Sequence, residues 1–242
     1  MYLIIDIGNS FVKLAVFEED LLKSKQVVDL NNFLKEVRTL KNKYLNIKKA
    51  IISSVGNLTN SDTNALSKLF DLTILNSATK LPFSNLYKTP ATLGVDRIAL
   101  VCASIKQFPH KNALIIDAGT CITYDFITAN NDYLGGAISP GLRMRYASLN
   151  NLTANLPLLN TEIPKSIIGN STKSAIHSGV VYGVLNEIEG NIATYKEKYS
   201  DLTIILTGGD SNFLSKQLKS SIFVNSNFLL EGLYYILKYN SN

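Results

Sequence analysis

Near the N-terminus the apolar run Leu3-Ile4-Ile5 stops at Asp6-Ile7-Gly8-Asn9-Ser10, and Val12-Lys13-Leu14-Ala15-Val16-Phe17 follows at once. Two strand-like runs around a polar bend predict a hairpin. The arrangement recurs: Ala113-Leu114-Ile115-Ile116 stops at Asp117-Ala118-Gly119-Thr120-Cys121, and the chain continues as Ile122-Thr123-Tyr124-Asp125-Phe126-Ile127. The two aspartates are 117 − 6 = 111 positions apart in a chain of 242 residues. A repeat of nearly half the chain predicts two similar halves with a cleft between them, not a short-period solenoid.

Apolar spacing predicts helices near 30–45, 61–70, 94–108, 142–156, 171–199, 211–219 and 227–238, with further strands near 25–28, 48–53, 132–138, 202–206 and 221–224. Hairpins followed by strand–helix alternation imply an α/β class with mixed sheets flanked by helices. No Gly/Ser-rich linker, charge block or low-complexity segment separates the halves, so the repeat alone sets the expected division, 1–112 and 113–242.

Composition narrows the class. Hydrophobic residues make up 46% and charged residues 18%, which argues against both disorder and a membrane-embedded body. The longest helical apolar stretch, Ile98 to Ile105, is far shorter than a bilayer span. The N-terminal segment reaches Asp6 before a signal-peptide core could form, and a cytoplasmic location is expected. Cys102 and Cys121 lie in apolar runs without a CxxC pattern, which disfavours a disulfide framework or zinc. The net charge of +5 suits an anionic ligand. A nucleic-acid surface is disfavoured, because the densest cations, at 35, 38, 41, 43, 48 and 49, accompany the helical spacing of Leu30, Phe33, Leu34, Val37, Leu40 and Tyr44 and line its solvated side.

Each D-x-G places a carboxylate at a strand end beside a glycine, where phosphate oxygens can approach backbone N–H groups. Asp6 and Asp117 would hold a hydrated cation that neutralises phosphate charge. Ser10, Thr120 and Thr123 add hydroxyls, and Lys13 adds a cation. A third glycine signal, Thr207-Gly208-Gly209-Asp210, lies between a strand and a helix and could take an adenine or ribose against its backbone. In Leu93-Gly94-Val95-Asp96-Arg97 the aspartate falls in a first helical turn, where the dipole favours an anion that can act as a base. His110 and His177 complete no nucleophile or ligand pattern.

Taken in order, these motifs resemble those of type III pantothenate kinases. Further matches are Gly135-Gly136-Ala137-Ile138-Ser139-Pro140-Gly141, Gly169-Asn170-Ser171-Thr172 and Leu230-Glu231-Gly232-Leu233, so the resemblance spans essentially the whole chain. It implies a duplicated ribonuclease-H-like, actin-like ATPase fold and the ATP-dependent phosphorylation of pantothenate, the first step toward coenzyme A. It implies ATP binding by Asp6, Ile7, Gly8, Asn9, Ser10, Phe11, Val12, Lys13 and Thr120, with Gly208 and Gly209 on the nucleotide side. Asp96 would be the catalytic base. Tyr87, Gly94, Val95, Asp96, Arg97 and Thr172 would contact pantothenate. Asp117 would hold a monovalent cation, K⁺ or NH₄⁺, and Asp6 would hold Mg²⁺ through water. A homodimer is implied, with no membrane partner.

Two positions depart from the family pattern: Ser10 replaces the usual threonine and keeps its hydroxyl, and Cys121 replaces a smaller residue beside the second phosphate loop. Two other functions fit the same loops: a kinase of another small hydroxylated substrate, and a nucleotide-binding accessory protein in transcription.

Overall fold

The structure, a computed structural model, describes residues 1–8, 11–54 and 58–241. It divides into two compact units, Met1–Gln107 with Asn227–Asn242, and Phe108–Ser226. In place of the expected 1–112 and 113–242 halves, the boundary falls a few residues earlier, and the C-terminal segment packs with the first unit. The cause is helix α7 (Phe228–Tyr239), whose Leu230, Leu233, Ile236 and Leu237 are buried there.

In the first unit β1 (Tyr2–Ile7), β2 (Val12–Glu18) and β3 (Leu21–Val28) form an antiparallel meander, and β4 (Lys49–Ser54) and β5 (Asp71–Ile74) add to β1 in parallel. The order is β3-β2-β1-β4-β5. A two-residue strand, β6 (Ser84–Asn85), follows. In the second unit β7 (Ala113–Ala118), β8 (Cys121–Ile127) and β9 (Asp132–Pro140) form the meander, and β10 (Thr203–Thr207) and β11 (Phe223–Val224) the parallel extension, in the order β9-β8-β7-β10-β11. Over these five strands the topology is the same in both units, so the internal repeat reflects a duplicated mixed α/β sheet.

Each sheet buries alternate residues on opposite faces. In the first unit Leu3, Ile5 and Ile7 share a core with Phe33, Val37 and Leu40 of α1 (Phe33–Lys43) and Leu66 of α2 (Asn60–Ser67). The 4- and 3-residue spacing of the α1 side chains gives the apolar stripe that makes this helix amphipathic. The other face carries Tyr2 and Ile4, and Tyr2 and Phe17 pack on Tyr234 of α7 with ring centroids 5.5 and 4.7 Å apart. In the second unit Leu114, Ile116 and Ala118 pack against Val180, Val184 and Ile188 of α5 (Thr172–Lys198) and Leu142 and Tyr146 of α4 (Leu142–Asn151). Among the described residues no helix is long and apolar enough to cross a membrane.

Several elements differ from the sequence pattern: β6 was not expected, and α4 ends at Asn151 where the expected helix ran to 156. β3 begins at Leu21, four residues before the expected strand, because its half-exposed alternation leaves few apolar positions to read. β5 was not expected from its short, exposed Asp-Leu-Thr-Ile run. Helix α6 (Ser211–Ser215) stops short of 219, since the amides of Lys219 and Ser220 donate to Glu189, at 2.5 and 3.1 Å, and so leave the helical ladder.

Helices α3 (Val95–Gln107) and α7 approach so closely that a Cβ at Gly232 would collide with the Ala99 carbonyl oxygen. Gly190, exposed on α5, has open space instead. Helix propensity favours alanine at both by about 1 kcal/mol. Overpacking costs roughly 1–3 kcal/mol and exceeds that gain only at the first. Gly190→Ala should therefore raise the thermal midpoint by a few degrees and Gly232→Ala should lower it, as differential scanning calorimetry will report.

Candidate active site

Strand alternation decides where the first aspartate goes. Asp6 shares the face of Tyr2 and Ile4, opposite the α1 core, and is only 6% exposed. Its register partners are Lys13 on β2 and Ser53 on β4. Lys13 Nζ lies 3.4 Å from Asp6 Oδ2. Burial, the largest influence, raises the Asp6 carboxyl above its ordinary range; the Lys13 charge and hydrogen bond pull it down, and the negative charge of Asp96 pushes it up. Residues 90 positions apart in sequence, Asp6 and Asp96, thus lie within electrostatic reach of one another.

Asp96 sits in the first turn of α3, and its Oδ1 accepts from the Arg97 amide at 2.8 Å. That bond turns the carboxylate back over Gly94, where a Cβ would collide with it. The buried Arg97 guanidinium stacks over the Tyr87 ring, 5.5 Å from its centroid, a cation–π contact. Tyr87, Gly94, Asp96 and Arg97 are therefore neighbours, with Val95 half-buried beside them. In the expected phosphate turn, the Gly8 amide donates to the Phe11 carbonyl at 3.0 Å and Phe11 is exposed. Ile7 and Val12 point into the core, so only their backbone could meet a ligand. Asn9 and Ser10 lie outside the described residues. The sequence reading missed Ser53, fully buried in register with Asp6, whose hydroxyl has no hydrogen-bond partner among the described residues. Its only signal was a serine pair closing the apolar run Ala50-Ile51-Ile52.

The second unit assembles its own glycine loops around Asp117. This residue, next to last in β7, lies in parallel register with Thr207, and Gly208 follows that threonine with φ of +93°, a conformation that L side chains resist. A Cβ there would also strike Asp117 Oδ1 and the Ala118 carbonyl. The Asp210 amide donates to that same carbonyl at 2.9 Å. On the other side the Gly141 amide donates to the Thr120 carbonyl at 3.0 Å, and the carbonyls of Gly119 and Thr120 occupy the space a Cβ of Gly141 would need. The Gly119 amide closes the hairpin onto Cys121, at 2.9 Å, much as Gly8 closes the first. Thr120 and Gly209 are exposed. Burial raises the carboxyl of Asp210, and the charge of Arg143 opposes it.

Thr172 opens α5 behind a capping box formed by Ser171 and Ser174. It borders a mostly apolar hollow of about 340 Å³ lined by Leu149, Leu156, Ala175, Ile176 and Gly179. Thr172 belongs to the second unit, whereas Tyr87, Gly94, Asp96 and Arg97 belong to the first.

Among the described residues no cluster of three or more His, Cys, Asp or Glu side chains could hold a metal by itself. The donors that exist are single carboxylates at strand ends, one of them buried beside a like charge. Such a set fits a cation that keeps its waters and shares oxygens with a phosphate, as Mg²⁺ does.

The Asp6 shift has a measurable sign. Because burial raises its folded-state pKa above the unfolded value, its contribution to stability is full below the unfolded pKa and is lost as pH rises through the folded one. Asp6→Asn keeps the side-chain size and removes that loss. We expect the variant to melt above the parent at neutral pH, with the difference vanishing below about pH 3, where both states are protonated. Thermal midpoints across this range test it, and a parent that melts higher at neutral pH overturns it.

Comparison with known proteins supplies the family. The family model described as type III pantothenate kinase matches residues 2–194. A type III pantothenate kinase of Christiangramia forsetii is 53% identical over 240 residues, covering 99% of each chain. Among solved structures, a Baf family protein from Campylobacter jejuni is 23% identical with a TM-score of 0.66 over 98% of each chain. A ROK hexokinase from Thermus thermophilus is 12% identical with a TM-score of 0.55, again over 98% of each. Such likenesses give the actin-like, sugar-kinase type of fold. The 53% identity over almost the full length, and the match to 2–194, establish the family: the chain belongs to the type III pantothenate kinases.

Proposed function

We propose that this protein transfers the γ-phosphoryl group of ATP to the primary hydroxyl of pantothenate, giving 4′-phosphopantothenate, the first step of coenzyme A synthesis. The observation that carries the reading is the grouping of Asp6, Lys13 and Asp96, with Arg97 and Tyr87 alongside. Lys13 in the first unit offers a cation, and Thr120 in the second offers a hydroxyl, each of a kind that suits phosphate. Asp96 accepts the proton of the pantothenate hydroxyl as its oxygen attacks the γ-phosphorus and the bond to ADP breaks. Arg97 and Tyr87 hold the substrate beside that carboxylate. Phosphoryl transfer has a loose transition state, so positioning and charge neutralisation outweigh base strength. Mg²⁺, when bound through water at Asp6, neutralises phosphate charge. Asp117, with Gly208 leaving one side of its carboxylate clear of any Cβ, is our proposed site for K⁺ or NH₄⁺. The reaction belongs in the cytoplasm, where its nucleotide is made.

A homodimer accounts for the apolar surface of the second unit. In the stretch 152–168 alone Leu152, Leu158, Ile163, Ile167 and Ile168 are exposed, Ile168 at 79%. Apolar surface on this scale marks an interface more often than free surface.

Asp96→Asn should lower turnover roughly 10²–10⁴-fold, the scale of a lost acid–base group, while ATP binding stays intact. A coupled ADP-release assay with pantothenate, run with and without K⁺, should also show activation by the cation. Normal turnover by the variant removes Asp96 from its role, and phosphorylation of a sugar but not pantothenate replaces the substrate. Sedimentation velocity should report twice the chain mass, and Ile168→Glu should return it to the monomer; a parent that sediments as a monomer rejects the dimer.

A further inference from the structure

Three elements of the second unit converge on one carboxylate of a fourth, outside the reacting groups. Glu187 on α5 accepts from Tyr124 Oη on β8 at 2.8 Å, from Ser139 Oγ on β9 at 2.5 Å, and from the guanidinium of Arg145 on α4. Burial alone would raise the Glu187 carboxyl, but these three donors outweigh it and hold it below its ordinary range. Replacing such a cluster by apolar packing is commonly neutral or stabilising, so the ions are poor evidence of a stability role. What they supply is a defined geometry.

That geometry leads to the phosphate loop. Arg145 Nε donates to the Pro140 carbonyl at 2.8 Å, and its Nη2 reaches Ser139 Oγ at 3.0 Å. Pro140 precedes Gly141, whose amide holds the Thr120 carbonyl and whose α-carbon is pressed against the backbone of Gly119 and Thr120. A continuous line of contacts runs Glu187, Arg145, Pro140, Gly141, Thr120. We propose that Glu187 and Arg145 are positioning residues that set the Asp117–Thr120 loop for the phosphates of ATP without touching the nucleotide. The inference rests on the reading of that loop as a phosphate site.

The test uses the full-length protein and four variants: Glu187→Ala, Glu187→Gln, Arg145→Lys and, as reference, Thr120→Ala. Steady-state constants for ATP and for pantothenate, equilibrium binding of a non-hydrolysable ATP analogue, and thermal midpoints are measured on each. Glu187→Ala and Arg145→Lys should weaken analogue binding and raise KM for ATP about 3- to 30-fold, the usual reach of coupling through packed neighbours, with KM for pantothenate within about twofold. Glu187→Gln keeps an acceptor oxygen for Tyr124 and Ser139 and should recover part of the loss. If Thr120→Ala weakens the analogue while the Glu187 and Arg145 variants do not, the positioning role is wrong. It is equally wrong if those variants weaken both substrates in parallel with a fallen thermal midpoint. If Thr120→Ala itself leaves ATP binding unchanged, the loop is not a phosphate site and the inference falls with it. Should Glu187→Ala fail to fold, Glu187→Gln and Arg145→Lys decide the matter.

Discussion

The burial of a carboxylate at the end of β1 is the constraint around which the first unit is organised. Asp6 lies on a sheet face otherwise filled by Tyr2 and Ile4, where an ionised group loses most of its hydration. Lys13 across the hairpin offsets part of that cost, and Asp96 adds to it. A fold selected for stability alone would not bring a second carboxylate toward the first. A polyanionic ligand carrying its own cation would make sense of the pair, since a cation offsets the repulsion between two carboxylates.

Duplication supplies a counterpart. Both units place an aspartate on the face away from the principal helices, at the end of the strand that pairs antiparallel on one side and parallel on the other. In the second unit the surroundings are backbone, not side chain. Gly141 and Gly208, from two separate segments, press against the Asp117–Thr120 loop because neither carries a Cβ. The outcome is a concentration of N–H groups and carbonyls around Asp117, held from behind by the ionic cluster of Tyr124, Ser139, Arg145 and Glu187. The two carboxylates therefore occupy equivalent strand positions in unlike environments, which suits them to different tasks.

Much of this was legible in the chain. The repeated aspartate-glycine turns announced a duplication, and the spacing of Phe33, Val37 and Leu40 announced a buried helical stripe. Weakly apolar elements escaped: β3 and β5 are half-exposed, and their side chains carry little periodic signal. The allegiance of α7 escaped as well, since an amphipathic helix near the end of a chain looks the same whichever sheet it covers; the fit of Gly232 against Ala99 settles it.

Sequence by itself determined the chemical inventory, because residue type and local spacing place a carboxylate or a glycine at a strand end whatever surrounds it. It therefore named Asp6, Asp96, Asp117, Thr120 and Gly208. Tertiary structure decided which of them act on one another. Strand register set Asp6 against Lys13 and Ser53, helix packing carried Asp96 within reach of Asp6, and loop contact pressed Gly208 onto Asp117. These relations join positions tens to a hundred residues apart, and only the packed chain brings such positions close enough for charge and steric exclusion to act.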